Sequence, residues 1–135
     1  MTADAETRNS VLVAEDDRVM SDVIRFNLER RGYQVVVARD GLEAWGQLQT
    51  RHFDILVSDY QMPGMSGEEL CRALRTTYPA RHLPVIFLSA RGLELDATRL
   101  KDELQIDMLM FKPFSPRELL AAVADCLNPV VASAE

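Results

Sequence analysis

At 135 residues, with 47% hydrophobic and 27% charged residues, the chain has the make-up of one globular domain with a sizeable core; disorder and a second module are not expected. A formal net charge of −6 opposes a sequence-independent grip on nucleic acid, so no direct nucleic-acid binding is expected. No apolar run approaches the roughly 18 to 20 residues of a membrane span, and the polar start Met1 to Glu6 is unlike a signal peptide, so a cytoplasmic chain with no membrane contact is expected.

Residues 1–8 read as a flexible N-terminal tail, 9–128 as the domain, and 129–135 as a flexible C-terminal tail. The apolar run Val11 to Ala14 predicts a first strand. Met20, Ile24 and Leu28 then recur every fourth residue, with Val19 and Val23 beside them, predicting a helix capped by Asp17 and ended by Arg30-Arg31-Gly32. Val35 to Val37 is a second strand, and Leu42, Trp45 and Leu48 mark a second helix with Trp45 in the core. Ile55 to Val57 is the third strand, followed by a helix on Leu70, Cys71 and Leu74 that stops before Pro79. Cys71 and Cys126 are too few and too far apart for a metal cluster or disulfide framework and read as reduced, semi-buried thiols. Val85 to Leu88 is the fourth strand; a looser helix on Leu93, Ala97, Leu100 and Leu104 comes next. Met108 to Phe111 and a helix on Leu119, Val123 and Leu127 complete the series. Continuous apolar runs need cover on both faces, as in a parallel sheet flanked by helices. The order is (βα)5, an α/β chain whose right-handed crossovers give a doubly wound sheet with its ligand site beyond the carboxyl ends of the strands.

Those ends carry Glu15-Asp16-Asp17, Asp59, Ser89 and Lys112-Pro113. Two carboxylates about 4 Å apart repel by roughly 4 kcal/mol at an effective dielectric near 20, so three in one pocket call for a cation. Oxygen donors without His or Cys favour Mg²⁺, which accepts phosphate oxygens among its remaining ligands. Lys112 and the Ser89 hydroxyl then suit the other oxygens of a phosphoryl group. Singly, each residue has a plainer reading: an acid at a helix start, a turn Asp, a strand-end hydroxyl, a solvated lysine. Asp17 is read only as a helix cap, and His52 and His82 have no neighbours suggesting catalysis.

Over about residues 9 to 127 the chain resembles the receiver domains of response regulators. Val13-Ala14-Glu15-Asp16-Asp17 looks like their acidic motif, Asp59-Tyr60-Gln61-Met62-Pro63-Gly64-Met65-Ser66-Gly67 like their phosphoacceptor motif, and Ser89-Ala90 and Lys112-Pro113-Phe114 like the remaining two. The resemblance implies a flavodoxin-like, five-stranded parallel sheet in the order 2-1-3-4-5. It implies that Asp59 takes a phosphoryl group from a phosphohistidine of a sensor histidine kinase or histidine phosphotransfer protein, with Mg²⁺ as cofactor. Asp16 and Asp59 would ligate the metal directly, Glu15 largely through water, and Gln61 through its backbone carbonyl. Ser89 would swing toward the phosphoryl group and Lys112 pair with it, beside a cis Lys112-Pro113 bond. Gln61 and Arg91 would overhang the path of the hydrolytic water, and two long side chains there predict a slowly decaying phosphorylated state. The fourth helix, fifth strand and fifth helix would form the switching face for a downstream protein or a second copy, with Leu93, Leu95, Leu104 and Ile106 near the edge strand. Self-catalysed phosphotransfer and autodephosphorylation would be the only chemistry, so the chain is not expected to be an enzyme in the ordinary sense.

Three positions depart from the family pattern. Ser89 stands where Thr is more usual, and Leu109 where an aromatic ring often rotates as a partner in the switch. Leu104 to Met108 lacks the Gly-Ala that often precedes the fifth strand. Two other functions fit less well. A phosphohydrolase of the haloacid-dehalogenase type would carry its Asp nucleophile at the end of the first strand with a second Asp two residues on, whereas Asp59 ends the third and is followed by Tyr60-Gln61. A pseudo-receiver, acting as a phosphorylation-independent interaction module, is favoured by Leu109 but opposed by intact Asp59, Asp16 and Lys112.

Overall fold

The five apolar runs form five parallel strands in a computed structural model that describes residues 8–90 and 97–128. Strands β1 (Ser10–Ala14), β2 (Gln34–Ala38), β3 (Ile55–Asp59), β4 (Val85–Ser89) and β5 (Met108–Phe111) alternate with helices α1 (Arg18–Arg30), α2 (Gly41–Thr50), α3 (Gly67–Thr77), α4 (Ala97–Leu104) and α5 (Pro116–Leu127). The sheet order is β2-β1-β3-β4-β5, the flavodoxin-like arrangement that the sequence implied. Its register sets Ala14 beside Ser58, Asp59 beside Leu88, and Ser89 beside Phe111, so the carboxyl ends share one rim.

Strand periodicity divides the core into two layers. Leu12, Leu56, Val85 and Phe87 pack with Ala44 and Leu48 of α2, Leu70 and Leu74 of α3, and Leu100 and Leu104 of α4. On the opposite face Val11, Val13, Ile55, Val57, Ile86 and Leu88 meet Ile24 and Leu28 of α1 and Leu119 and Val123 of α5. Both faces of β1, β3 and β4 are therefore covered, which is why their sequences are apolar without alternation. The edge strands β2 and β5 are only half-buried through most of their length. Local signals agree with this layering. The Asp17 carboxylate caps α1 by accepting from Met20 N at 3.0 Å, and Ser66 and Ser115 form reciprocal capping boxes with Glu69 and Glu118.

Several positions differ from expectation. Val19, Val23 and Leu42 are exposed, at 73%, 43% and 62%. Helix α1 buries Ser21, Ile24 and Leu28, and α2 buries Gly41, Ala44 and Leu48; Val23 and Leu42 stand one place from a buried position, turned about 100°, and Val19 stands two places before Ser21, turned about 200°. Trp45 is only partly buried, at the margin of the core, 6.2 Å from the Tyr78 ring. Leu104 and Ile106 are buried and contribute nothing to a partner face. Phe111 is exposed there instead, beside half-buried Met108, Met110 and Phe114. Leu93, Leu95, Arg91 and the start of the predicted fourth helix lie outside the described residues. The missing Gly before β5 is replaced by Gln105 at φ 57°, a left-handed cap for α4 held by Arg75, whose guanidinium donates to Leu104 O at 2.9 Å and Gln105 O at 3.0 Å.

The first turn of α3 lies against the end of β3 because residue 67 has no side chain: a Cβ there would collide with Asp59 O and Tyr60 Cα. Gly46, exposed in the middle of α2, has open space where its Cβ would stand. Gly67→Ala should therefore lower unfolding free energy by about 1–3 kcal/mol, whereas Gly46→Ala should raise it by about 0.4–1 kcal/mol. Urea unfolding of the two variants checks this, and equal midpoints would refute the close approach at Gly67.

Candidate functional site

At the rim, β1 passes directly into Glu15, whose backbone N–H continues the ladder by donating to Ala38 O at 3.0 Å. The chain then leaves the sheet through exposed Asp16, and Asp17 N donates to Glu15 Oε2 at 3.1 Å. Asp59, the last residue of β3, is 8% exposed. Glu15, Asp16 and Asp59 each direct a carboxylate oxygen to one place, the three lying within 4.8 Å of one another.

Lys112 reaches the same place from the end of β5. Its Nζ lies 3.2 Å from Asp59 Oδ2 and 3.1 Å from Glu15 Oε1. Lys112 N donates to Ser89 O at 2.8 Å, so the backbone links the lysine to the end of β4, and the Lys112-Pro113 bond is cis as expected. Burial works to lower the Lys112 pKa, but the neighbouring Glu15 and Asp59 carboxylates together outweigh it and raise the group above an ordinary lysine. Glu15 moves the other way on the charge scale: burial and the nearby Asp59 charge raise its pKa to about 7, against the opposing pull of Asp17 N–H and Lys112. Glu15 Oε1 is buried, yet no donor is aligned to hydrogen-bond it, the Lys112 contact being an ion pair off the hydrogen-bond direction. An under-satisfied carboxylate oxygen among three converging acids is what a hard cation would complete.

Ser89 is fully buried at the end of β4, with its Oγ 3.4 Å from Ala90 O. Leu109 packs, partly buried, on the α2–α4 side of the core. Gln61 lies two residues beyond β3 with its side chain exposed. The structure thus brings together Glu15, Asp16, Asp59 and Lys112, with Ser89 tied to Lys112 through the backbone. Cys71 and Cys126 are free, and burial pushes both thiols up to about 11, which disfavours thiolate metal binding. A hollow of about 440 Å³ lined by Glu15, Asp16, Arg18 and Arg39 borders the site, and another of about 920 Å³ lies at the opposite ends of β1 and β2, lined among others by Arg8, Ser10, Tyr33, Gln34 and Arg51.

Sequence reasoning passed over one group beside the site. The Tyr60 hydroxyl, next in sequence to Asp59, donates to Glu68 Oε1 at 2.7 Å, and Glu68 also receives Arg72 of α3 at 2.8 Å and Arg99 of α4 at 3.5 Å. The only signal in the sequence was a tyrosine where any residue could follow the phosphoacceptor motif's Asp.

The family model for the response regulator receiver domain matches residues 11–124. The phosphate regulon transcriptional regulatory protein PhoB of Rhizobium meliloti (strain 1021) is 42% identical over 118 residues, covering 87% of this chain and 52% of its own length. The chain thus spans about half of that curated relative. Among solved structures, the receiver domain of Francisella response regulator 1452 aligns with a TM-score of 0.80 at 32% identity, covering 89% of this chain and 97% of its own. Vibrio cholerae chemotaxis protein CheY4 aligns with a TM-score of 0.80 at 28% identity, covering 89% of this chain and 99% of its own. With its strand order, its acidic rim and a family match over most of its length, the chain belongs to the response regulator receiver domains.

Proposed function

We propose that this receiver domain accepts a phosphoryl group on Asp59 from a phosphohistidine of a sensor histidine kinase or histidine phosphotransfer protein, and that Glu15, Asp16 and Asp59, with the Gln61 carbonyl, hold the Mg²⁺ the reaction needs. The observation that carries this reading is the contact of Lys112 Nζ with Asp59 Oδ2 at 3.2 Å inside a cluster of three acids. When bound, the cation would offset charge on the phosphoryl oxygens. Asp59 Oδ is the nucleophile, placed on a buried strand end that fixes its direction of attack. Lys112 stays protonated, because the two carboxylates raise its pKa, and is positioned to pair with a phosphoryl oxygen. The Ser89 hydroxyl supplies a donor from the adjacent strand. No phosphodonor other than the partner and no substrate beyond Asp59 itself is required, so the chemistry is self-catalysed transfer and later hydrolysis.

The net charge of −6 supports an output through protein contacts rather than through nucleic acid. Phe111, exposed on the edge strand β5 beside Met110 and Phe114, supports a downstream protein or second copy on the face formed with α4 and α5. Among the described residues no helix is long and apolar enough to cross a membrane, in keeping with a chain that works in the cytoplasm. The pseudo-receiver alternative is favoured by Leu109 alone.

Incubation with acetyl phosphate and Mg²⁺ should add one phosphoryl group by intact mass. Asp59→Asn and removal of Mg²⁺ with EDTA should each abolish the addition, while Lys112→Ala should still label but show a reduced change in amide exchange on labelling. A mass gain that survives Asp59→Asn would overturn the assignment of the acceptor, and a wild type that never gains mass would favour the pseudo-receiver.

The pocket also sets a pH dependence. Burial raises the Glu15 pKa from the ordinary carboxylic value of 4.5 to about 7, so the folded chain binds more protons than the unfolded chain between those values. Its contribution to stability is complete below the unfolded value and is lost as pH rises through the folded one. In EDTA the urea midpoint of the wild type, compared with Glu15→Gln, should fall between pH 5 and pH 7. Mg²⁺ at pH 7 should restore it in the wild type more than in the variant. A flat difference across that range would show that Glu15 is not held in its proton-bearing form by burial.

A further inference from the structure

We propose that Glu68 is a latch: its carboxylate, shared between Tyr60 of the phosphoacceptor loop and Arg99 of α4, holds α4 against α3 while Asp59 is unphosphorylated and loosens that hold when the end of β4 shifts. The inference rests on the function proposed above for its trigger, but the latch itself is a property of the unphosphorylated chain.

Helix α4 is held both by burial and by charge. Leu100, in mid-helix, and Leu104, its last residue, are buried, and Arg75 and the Cys71 thiol both donate to Leu104 O, at 2.9 and 3.6 Å. Its described charged contacts with α3 are Arg99, in the first turn, with Glu68 at 3.5 Å, and Glu103, beside Leu104, with Arg72 at 3.8 Å. Arg99 and Glu103 also pair within the helix, at 2.9 Å. Parting of the Arg99–Glu68 contact would loosen the first described turn of α4, while the burial of Leu100 and Leu104 and the hold on Leu104 O remain.

Glu68 decides when that contact parts, because its Oε1 takes both the Tyr60 hydroxyl at 2.7 Å and the Arg99 guanidinium, while Oε2 is committed to Arg72. Tyr60 in turn is fastened to β4, its N–H donating to Leu88 O at 2.7 Å and its ring meeting Phe87 edge-on at 5.6 Å. Leu88 immediately precedes Ser89, so a movement of Ser89 toward a phosphoryl group displaces the carbonyl and the ring that orient Tyr60. If the hydroxyl leaves Glu68, Oε1 loses the neutral donor that fixes its direction toward Arg99. The coupling must be reciprocal: whatever weakens the latch must favour occupation of the phosphoryl site.

The test has two arms. Without phosphodonor, Tyr60→Phe, which keeps the ring on Phe87, and Glu68→Gln should each raise amide exchange over residues 98–104 about fivefold, leaving 11–14 and 55–58 unchanged. Exchange equal to wild type in both variants overturns the latch, and a rise spread equally over β1 and β3 overturns it as general destabilisation. In the second arm, fluoroberyllate with Mg²⁺, a tetrahedral phosphoryl analogue, is titrated by fluorine NMR. It should bind Tyr60→Phe about fivefold more tightly than wild type, and equal affinity overturns the link to the phosphoacceptor. A wild type that binds no fluoroberyllate and gains no mass from acetyl phosphate refutes the proposed function and this trigger together, while the exchange arm still decides whether Tyr60 and Glu68 hold α4.

Discussion

Glu15, Asp16 and Asp59 bring three carboxylates within 4.8 Å of one another, and much of the domain can be understood as what offsets their repulsion. At an effective dielectric near 20, two such charges about 4 Å apart oppose each other by roughly 4 kcal/mol, which is comparable to a large part of a small domain's net stability. Lys112 offsets part of this through its ion pairs at 3.1 and 3.2 Å, and Glu15 offsets part by holding its proton up to about pH 7. Neither is complete, since Glu15 Oε1 still lacks an aligned donor. Three converging acids, one with an oxygen that lacks an aligned donor, form a donor set that would suit a hard cation.

Such a cluster persists only because the scaffold prevents it from dispersing. Parallel strands send every carboxyl end to the same rim, so β1 and β3 deliver acids side by side while β5, two strands from β3, delivers the lysine that reaches back across them. The strands carrying Glu15 and Asp59 are covered on both faces, and the first turn of α3 closes on Asp59 through the absent side chain of Gly67. An antiparallel neighbour in place of β3 would have carried Asp59 to the opposite end.

Much of this was legible in the sequence, for identifiable reasons. All five strands follow from continuous apolar runs; for β1, β3 and β4 this is because a strand covered on both faces leaves no alternation to misread, and the half-buried edge strands β2 and β5 carry short runs of the same kind. Asp17 and the third helix's stop before Pro79 follow from local chemistry that operates whatever the tertiary context. Helix faces were less legible. Val19, Val23 and Leu42 are apolar yet exposed, since the period marks which residues share a face but not which of two adjacent apolar stripes meets the sheet. Leu104 and Ile106 were placed near a partner surface but are core, because the cap at Gln105 turns the chain inward between them. At the site, Asp59, Glu15, Asp16 and Lys112 were legible from their positions at strand ends. The Tyr60–Glu68 contact was not, because a phenol and a carboxylate eight residues apart form no pattern until α3 folds back on the loop.

On the proposed function, a leucine in place of an aromatic ring at residue 109 would change which groups could carry a signal out of the pocket. A ring at that position would link its burial to the hydroxyl at residue 89 by competing for the same space; leucine is already packed in the core and offers no polar end to exchange between partners. The polar aromatic nearest the acceptor is instead Tyr60, whose ring is anchored on Phe87 and whose hydroxyl is anchored on Glu68. These two anchors belong to different elements, β4 and α3, so the side chain senses their relative position directly. Leu109 offers no polar contact of this kind, whereas between α3 and α4 Arg72 and Arg99 each bridge the carboxylates of Glu68 and Glu103.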